Sequence, residues 1–84
     1  MVRMEAVFGC GGAMTPDIAV RLVQLSEHCS AVLHLECGGA RVRLDSLIGI
    51  LAVDCRQGTP LTVIAEGADE RAAAEAAAKL LRGE

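Results

Sequence analysis

Four short segments alternate apolar and polar side chains, and this pattern limits the possible folds more than any other feature of the chain. In residues 32–37, Leu33, Leu35 and Cys37 fall on one side of a strand, with His34 and Glu36 on the other. In 40–44, Val42 and Leu44 oppose Arg41 and Arg43. Residues 2–8 set Met4, Ala6 and Phe8 against Arg3 and Glu5, and residues 61–65 gather Leu61, Val63 and Ala65 on one side. Successive side chains of a strand point to opposite faces, so strands of this kind make a sheet with one dry face and one wet face. A parallel sheet, covered on both faces, would read as continuous apolar runs instead. Gly38-Gly39 between the middle two segments is a hairpin signal, so that pair is antiparallel.

The stretches between the strands carry helix punctuation. Thr15-Pro16-Asp17 supplies an N-cap hydroxyl, a proline suited to the first helical position and an acid for the positive end of the helix dipole. Ile18, Ala19, Leu22, Val23 and Ser26 then recur at helical spacing, and the helix should end near His28-Cys29. Asp45-Ser46 precedes a short apolar segment, 47–53, with Ser46 as its N-cap. Gly67-Ala68-Asp69 turns into a final helix over 70–82, rich in strong helix formers, with Asp69 as the expected N-cap. The order is β-α-β-β-α-β-α. Alternating strands leave only one sheet face for the helices to cover. The predicted fold is an α+β open-faced β-sandwich: a four-stranded antiparallel sheet with helices on one face.

At 84 residues the chain is expected to form a single domain over 1–84 with a modest core. Phe8 is the only aromatic residue, so that core must come from leucine, valine, isoleucine and alanine. A net charge of −3 and a single ring argue against direct nucleic-acid binding, which favours clustered cations and stacking surfaces. The apolar runs are too short for a membrane helix, and the first residues do not read as a signal peptide, so a cytoplasmic location is expected. Cysteines at 10, 29, 37 and 55 form no Cys-x-x-Cys pair and read as reduced, mostly buried thiols. Cys10, in the glycine-rich stretch after the first strand, is the position best placed to be reactive. No metal and no cofactor is expected. Paired carboxylates, a Ser-His-Asp set and a phosphate-binding Gly-Lys-Ser/Thr loop are all missing, so the chain is not expected to be an enzyme.

Leu22-Val23-Gln24, Leu33-His34-Leu35-Glu36, Ser46-Leu47-Ile48-Gly49-Ile50-Leu51, Gln57-Gly58 and Gly67-Ala68-Asp69-Glu70, taken in order, resemble the HPr family. HPr is the histidine-containing phosphocarrier of the bacterial phosphoenolpyruvate:sugar phosphotransferase system, and its fold is an open-faced β-sandwich. The family motif Gly-Ile-His-Ala-Arg-Pro-Ala opens the first helix. This chain has Ala13-Met14-Thr15-Pro16-Asp17-Ile18-Ala19 there. The resemblance therefore sets Thr15 where the phosphorylated histidine belongs and Asp17 where the arginine belongs. A threonine phosphoester is too stable for a relay, and Asp17 would repel a phosphate that an arginine would bind. His28 and His34 are not placed like the family histidine.

The second functional position of the family is Ser46, which a dedicated kinase phosphorylates in some bacteria during carbon catabolite repression. Ser46 serves here either as a site of that kind or as a simple N-cap. Leu47, Ile48 and Leu51 correspond to the family's docking patch, although Ile48 and Leu51 also suit a core. A kept serine without the histidine resembles the catabolite-repression branch, Crh. The resemblance implies a regulatory or binding module of the phosphotransferase system. Its partners would be other proteins: an HPr kinase/phosphorylase, a transcriptional regulator or Enzyme I-like proteins. The chain itself would be a monomer or weak homodimer. The alternative is a divergent phosphocarrier of the same sugar-transport system.

Overall fold

The computed structural model describes residues 1–9, 11–53 and 55–83. Its elements are β1 (Val2–Val7), α1 (Pro16–His28), β2 (Val32–Cys37), β3 (Ala40–Arg43), α2 (Leu47–Ala52), β4 (Pro60–Glu66) and α3 (Glu70–Arg82). The strands form one antiparallel sheet in the order β1-β4-β2-β3. The expected α+β fold is present, with α3 against β1, β4 and β2, and α1 packed on α3 and α2.

Pairing continues just past two strand ends. Phe8 N–H donates to the Thr59 carbonyl at 2.9 Å, and Leu44 N–H donates to the Leu33 carbonyl at 2.9 Å. Both residues are fully buried, so the alternation read over 2–8 and 40–44 holds. The β2–β3 turn has positive φ at Gly38 and Gly39, the backbone signature of a tight hairpin that suits glycine.

The dry face carries Phe8, Leu33, Leu35, Leu44, Leu61 and Val63, and Leu22, Ile50 and Leu81 close over it. The alanines of α3 have a packing role. Ala73, Ala74, Ala77 and Ala78 are all buried along one stripe with Leu81. Side chains of a single carbon let the helix axis lie close to the sheet, and the gain comes from dispersion contacts between backbones.

Two details depart from the sequence expectations. Asp69 occupies the N-cap position of α3, but its side chain makes no cap hydrogen bond. Its carboxylate reaches across the fold instead and accepts from Ala31 N–H at 2.7 Å and Ser30 N–H at 3.1 Å. The turn between α1 and β2 is thereby strapped to the start of α3. Gly67 makes this approach possible. Its φ is +149°, and a Cβ there would stand 2.7 Å from Ala31 Cα. The second departure is Ile64, which alternates onto the wet face yet is only 1% exposed. Its register neighbours are Arg3 on β1 and His34 on β2. Arg3 crosses to Glu36 with an ion pair of 2.9 Å, so long charged side chains lie over the isoleucine.

Candidate functional site

Thr15 starts α1 as the sequence pattern requires. Its backbone is extended, and its Oγ1 accepts from Ile18 N–H at 3.3 Å. Pro16 follows at the first helical position, where a missing N–H costs nothing. The hydroxyl is solvent-exposed. Beside it lies a surface cavity of about 420 Å³ lined by Gly9, Thr15, Asp17, Ile18, Arg21 and the α3 end. Asp17 does not face this space alone, because Arg21 Nε stands 3.4 Å from its carboxylate, one helical turn on. The two charges offset one another on an exposed surface, where such a pair is weak and screened by salt.

The approach to α1 is fastened to the chain entering β4. Met14 N–H donates to the Cys55 carbonyl at 3.0 Å, and Gln57 N–H donates to the Gly12 carbonyl at 2.6 Å. The Gln57 side chain accepts from Gly11 N–H at 2.9 Å. Gln57 thus braces the loop in front of Thr15 through both its backbone and its side chain. In the sequence Gln57-Gly58 counted only among the segments that resemble the family. The partner loop lies more than 40 positions away, and local pattern carries no such signal. The α3 end was missed for the same reason, whereas Arg21, four residues from Asp17 on one helix, was readable as an i,i+4 pair.

Ser46 repeats the arrangement at α2. Its Oγ accepts from Gly49 N–H at 3.1 Å. A Cβ at position 49 would lie 3.0 Å from that oxygen, so glycine leaves the hydroxyl its room. Ser46 is exposed, and its neighbour Asp45 is paired with Arg43 at 2.9 Å. The acidic charge next to the serine is therefore partly offset. The apolar residues divide cleanly. Ile50 is fully buried, whereas Leu47 is 39%, Leu51 42% and Ile48 83% exposed. Ile48 and Leu51 thus lie mainly outside the core.

Two histidines and three cysteines complete the titratable candidates among the described residues. His28 Nδ1 is 2.7 Å from the Gln24 carbonyl at the end of α1. His34 lies on the wet sheet face, where burial, then the Arg41 and Arg43 charges, push its imidazole below the ordinary range. Cys29 is half-buried, and burial together with the Asp69 charge pushes its thiol up. Cys37 and Cys55 are buried in the core. Cys10 lies outside the described residues. Among the described residues no three His, Cys, Asp or Glu side chains gather as a metal site would require, and no helix is long and apolar enough to cross a membrane.

Residues 16–83 match the family described as "PTS HPr component phosphorylation site", a match that begins one residue after Thr15. Solved structures agree across nearly the whole chain. HPr-C-His from Thermoanaerobacter tengcongensis is 25% identical, with a TM-score of 0.88 over 100% of this chain and 98% of that one. The phosphocarrier protein HPr from Bacillus anthracis is 25% identical, with a TM-score of 0.89 over 95% of each chain. Crh of Bacillus subtilis, described as a domain-swapped dimer, is 27% identical, with a TM-score of 0.79 over 100% of this chain and 97% of that one.

Proposed function

Because this chain belongs to the PTS HPr family, we propose that it works as a regulatory, protein-binding member that does not relay phosphate from the tip of α1, and that its modification site is Ser46. The observation that carries this reading is the chemistry at Thr15. A relay needs a group that takes a phosphoryl and gives it up readily. The side chain at the start of α1 is a hydroxyl, whose phosphoester is too stable to be handed on. Asp17, where the family has an arginine, is paired with Arg21 and offers no free cation to a phosphate.

Ser46 differs in the surface beside it. It is exposed, and Leu47, Ile48 and Leu51 offer apolar surface rimmed by polar residues, as interfaces do. Kinase, regulator or Enzyme I-like proteins would dock on this surface. Phosphorylation of Ser46 would place about two negative charges beside it and so change which partner binds.

The test has two arms. Incubation with an HPr kinase/phosphorylase and ATP should give one acid-stable phosphoryl group, mapped to Ser46 by mass spectrometry and lost in Ser46→Ala. Incubation with Enzyme I and phosphoenolpyruvate should leave the chain unmodified. An acid-labile phosphoryl group in the second arm, on His28, His34 or elsewhere, would establish the divergent phosphocarrier instead. An unmodified Ser46 in the presence of an active, matched kinase would remove the regulatory part.

A further inference from the structure

The core contains a second pair of reactive groups that the reading above does not use. Cys37 ends β2, and Cys55 lies between α2 and β4, 18 positions later. The Cys55 thiol donates to Cys37 Sγ, with the sulfurs 3.5 Å apart. We propose that these two thiols are a redox pair, which hydrogen peroxide converts to a disulfide that closes the segment carrying β3, α2 and Ser46.

The geometry gives the two cysteines different parts. Cys37 is 7% exposed and lines a surface cavity of about 580 Å³, together with Glu36, Gly38, Gly39, Val7 and Pro60. The cavity admits a molecule as small as peroxide to the end of β2 where Cys37 sits, and Cys55, at 1% exposed, is the more buried of the two. A disulfide has its sulfurs about 2.05 Å apart, so closure needs the pair to approach by about 1.5 Å, within reach of side-chain rotation and a small backbone shift.

The Cys37 thiol loses its proton and attacks one peroxide oxygen. The O–O bond breaks, and the departing hydroxide takes up that proton as water, leaving Cys37 as a sulfenic acid. The Cys55 sulfur then attacks the Cys37 sulfur. The S–O bond breaks, and the leaving hydroxide takes the Cys55 proton as a second water. Two thiols are oxidised, one peroxide is reduced to two waters, and a dithiol reductant reverses the change.

This bond ties the end of β2 to the loop whose Cys55 carbonyl holds Met14 N–H in front of α1. Both ends of the segment bearing Ser46 become fixed, so amide exchange within residues 38–53 should slow in the oxidised chain.

The test treats the fully reduced chain with hydrogen peroxide, alkylates the remaining thiols and maps non-reduced peptides. The expected result is the loss of two alkylatable thiols per chain, one Cys37–Cys55 linked peptide, and its disappearance on adding dithiothreitol. Cys37→Ser and Cys55→Ser should each abolish the link, while Cys10→Ser and Cys29→Ser keep it. A link between any other pair, sulfinic acid at Cys37 without a link, or four thiols surviving excess peroxide would each overturn the proposal. Should a serine variant at 37 or 55 fail to fold, the wild-type peptide map decides alone.

Discussion

Asp69 offers the sharpest quantitative test of how this fold is held, because two accounts of it predict different mutants. As an N-cap, Asp69→Ala would cost about 1 kcal/mol, and serine or asparagine would restore most of that. As the strap seen here, the carboxylate holds Ala31 N–H at 2.7 Å and Ser30 N–H at 3.1 Å. Hydrogen bonds to a charged group contribute roughly 1.5–3 kcal/mol each, and a buried donor left without a partner adds a penalty. Ala31 is 4% exposed, so its N–H has little access to water, whereas Ser30 is exposed and loses less. Asp69→Ala should therefore destabilise by about 2–4 kcal/mol, a large share of the roughly 4–13 kcal/mol expected for a domain of this size. Asp69→Ser should be nearly as damaging, because the shorter side chain does not reach residue 31. Asp69→Asn keeps one acceptor and should fall between. Urea unfolding followed by circular dichroism gives all three values. If Asp69→Ser restored stability to within about 0.5 kcal/mol of the parent, the side chain would be a cap and the strap would carry no energy.

Two further outcomes follow from the sheet and from α2. The folded chain keeps His34 neutral to lower pH than the unfolded chain, whose imidazole titrates near pH 6.5. The unfolded state then binds more protons in that window, so stability should fall as pH drops from about 7.5 to about 5. His34→Gln should flatten that part of the urea-midpoint profile, and an identical profile for parent and variant would show that Arg41, Arg43 and burial exert no such effect. On α2, Ile50→Ala should cost about 2–5 kcal/mol as a core truncation, whereas Ile48→Asp should change stability by no more than about 0.5 kcal/mol. A large loss for Ile48→Asp would place that side chain in the core and remove it from the docking surface.

The elements were readable because their signals are local. A strand with one face against the core must alternate, and 32–37 does so without a fault. A helix start must satisfy orphan N–H groups, and the hydroxyls of Thr15 and Ser46 do this three positions ahead. The errors occur where a side chain chooses a distant partner. Asp69 has the right residue type for a cap, but the turn holding Ser30 and Ala31 is brought to it by the sheet, and a carboxylate gains more from two donors there. Ile64 alternates onto the wet face, and only the register of β1 and β2 beside β4 shows that Arg3 and His34 flank it.

The candidate site divides along the same line. Thr15, Asp17 and Ser46 were found from motif position, Arg21 lies one helical turn from Asp17, and Gln57 and the α3 end join the start of α1 through tertiary approach alone. The two hydroxyls do the same structural work, so capping favours neither of them as a site of modification. Capping and phosphorylation are compatible at one serine, since a phosphate oxygen accepts from the same N–H group that the hydroxyl oxygen now engages. What separates the two positions is the surface around them, since each has an acid paired with an arginine close by. At Ser46 an isoleucine with most of its surface exposed stands two residues on. A protein partner can grip that isoleucine and sense a charge beside it. On the proposed function, Ser46 is then the position where a phosphate would be read by another protein, and Thr15 the residue that starts a helix.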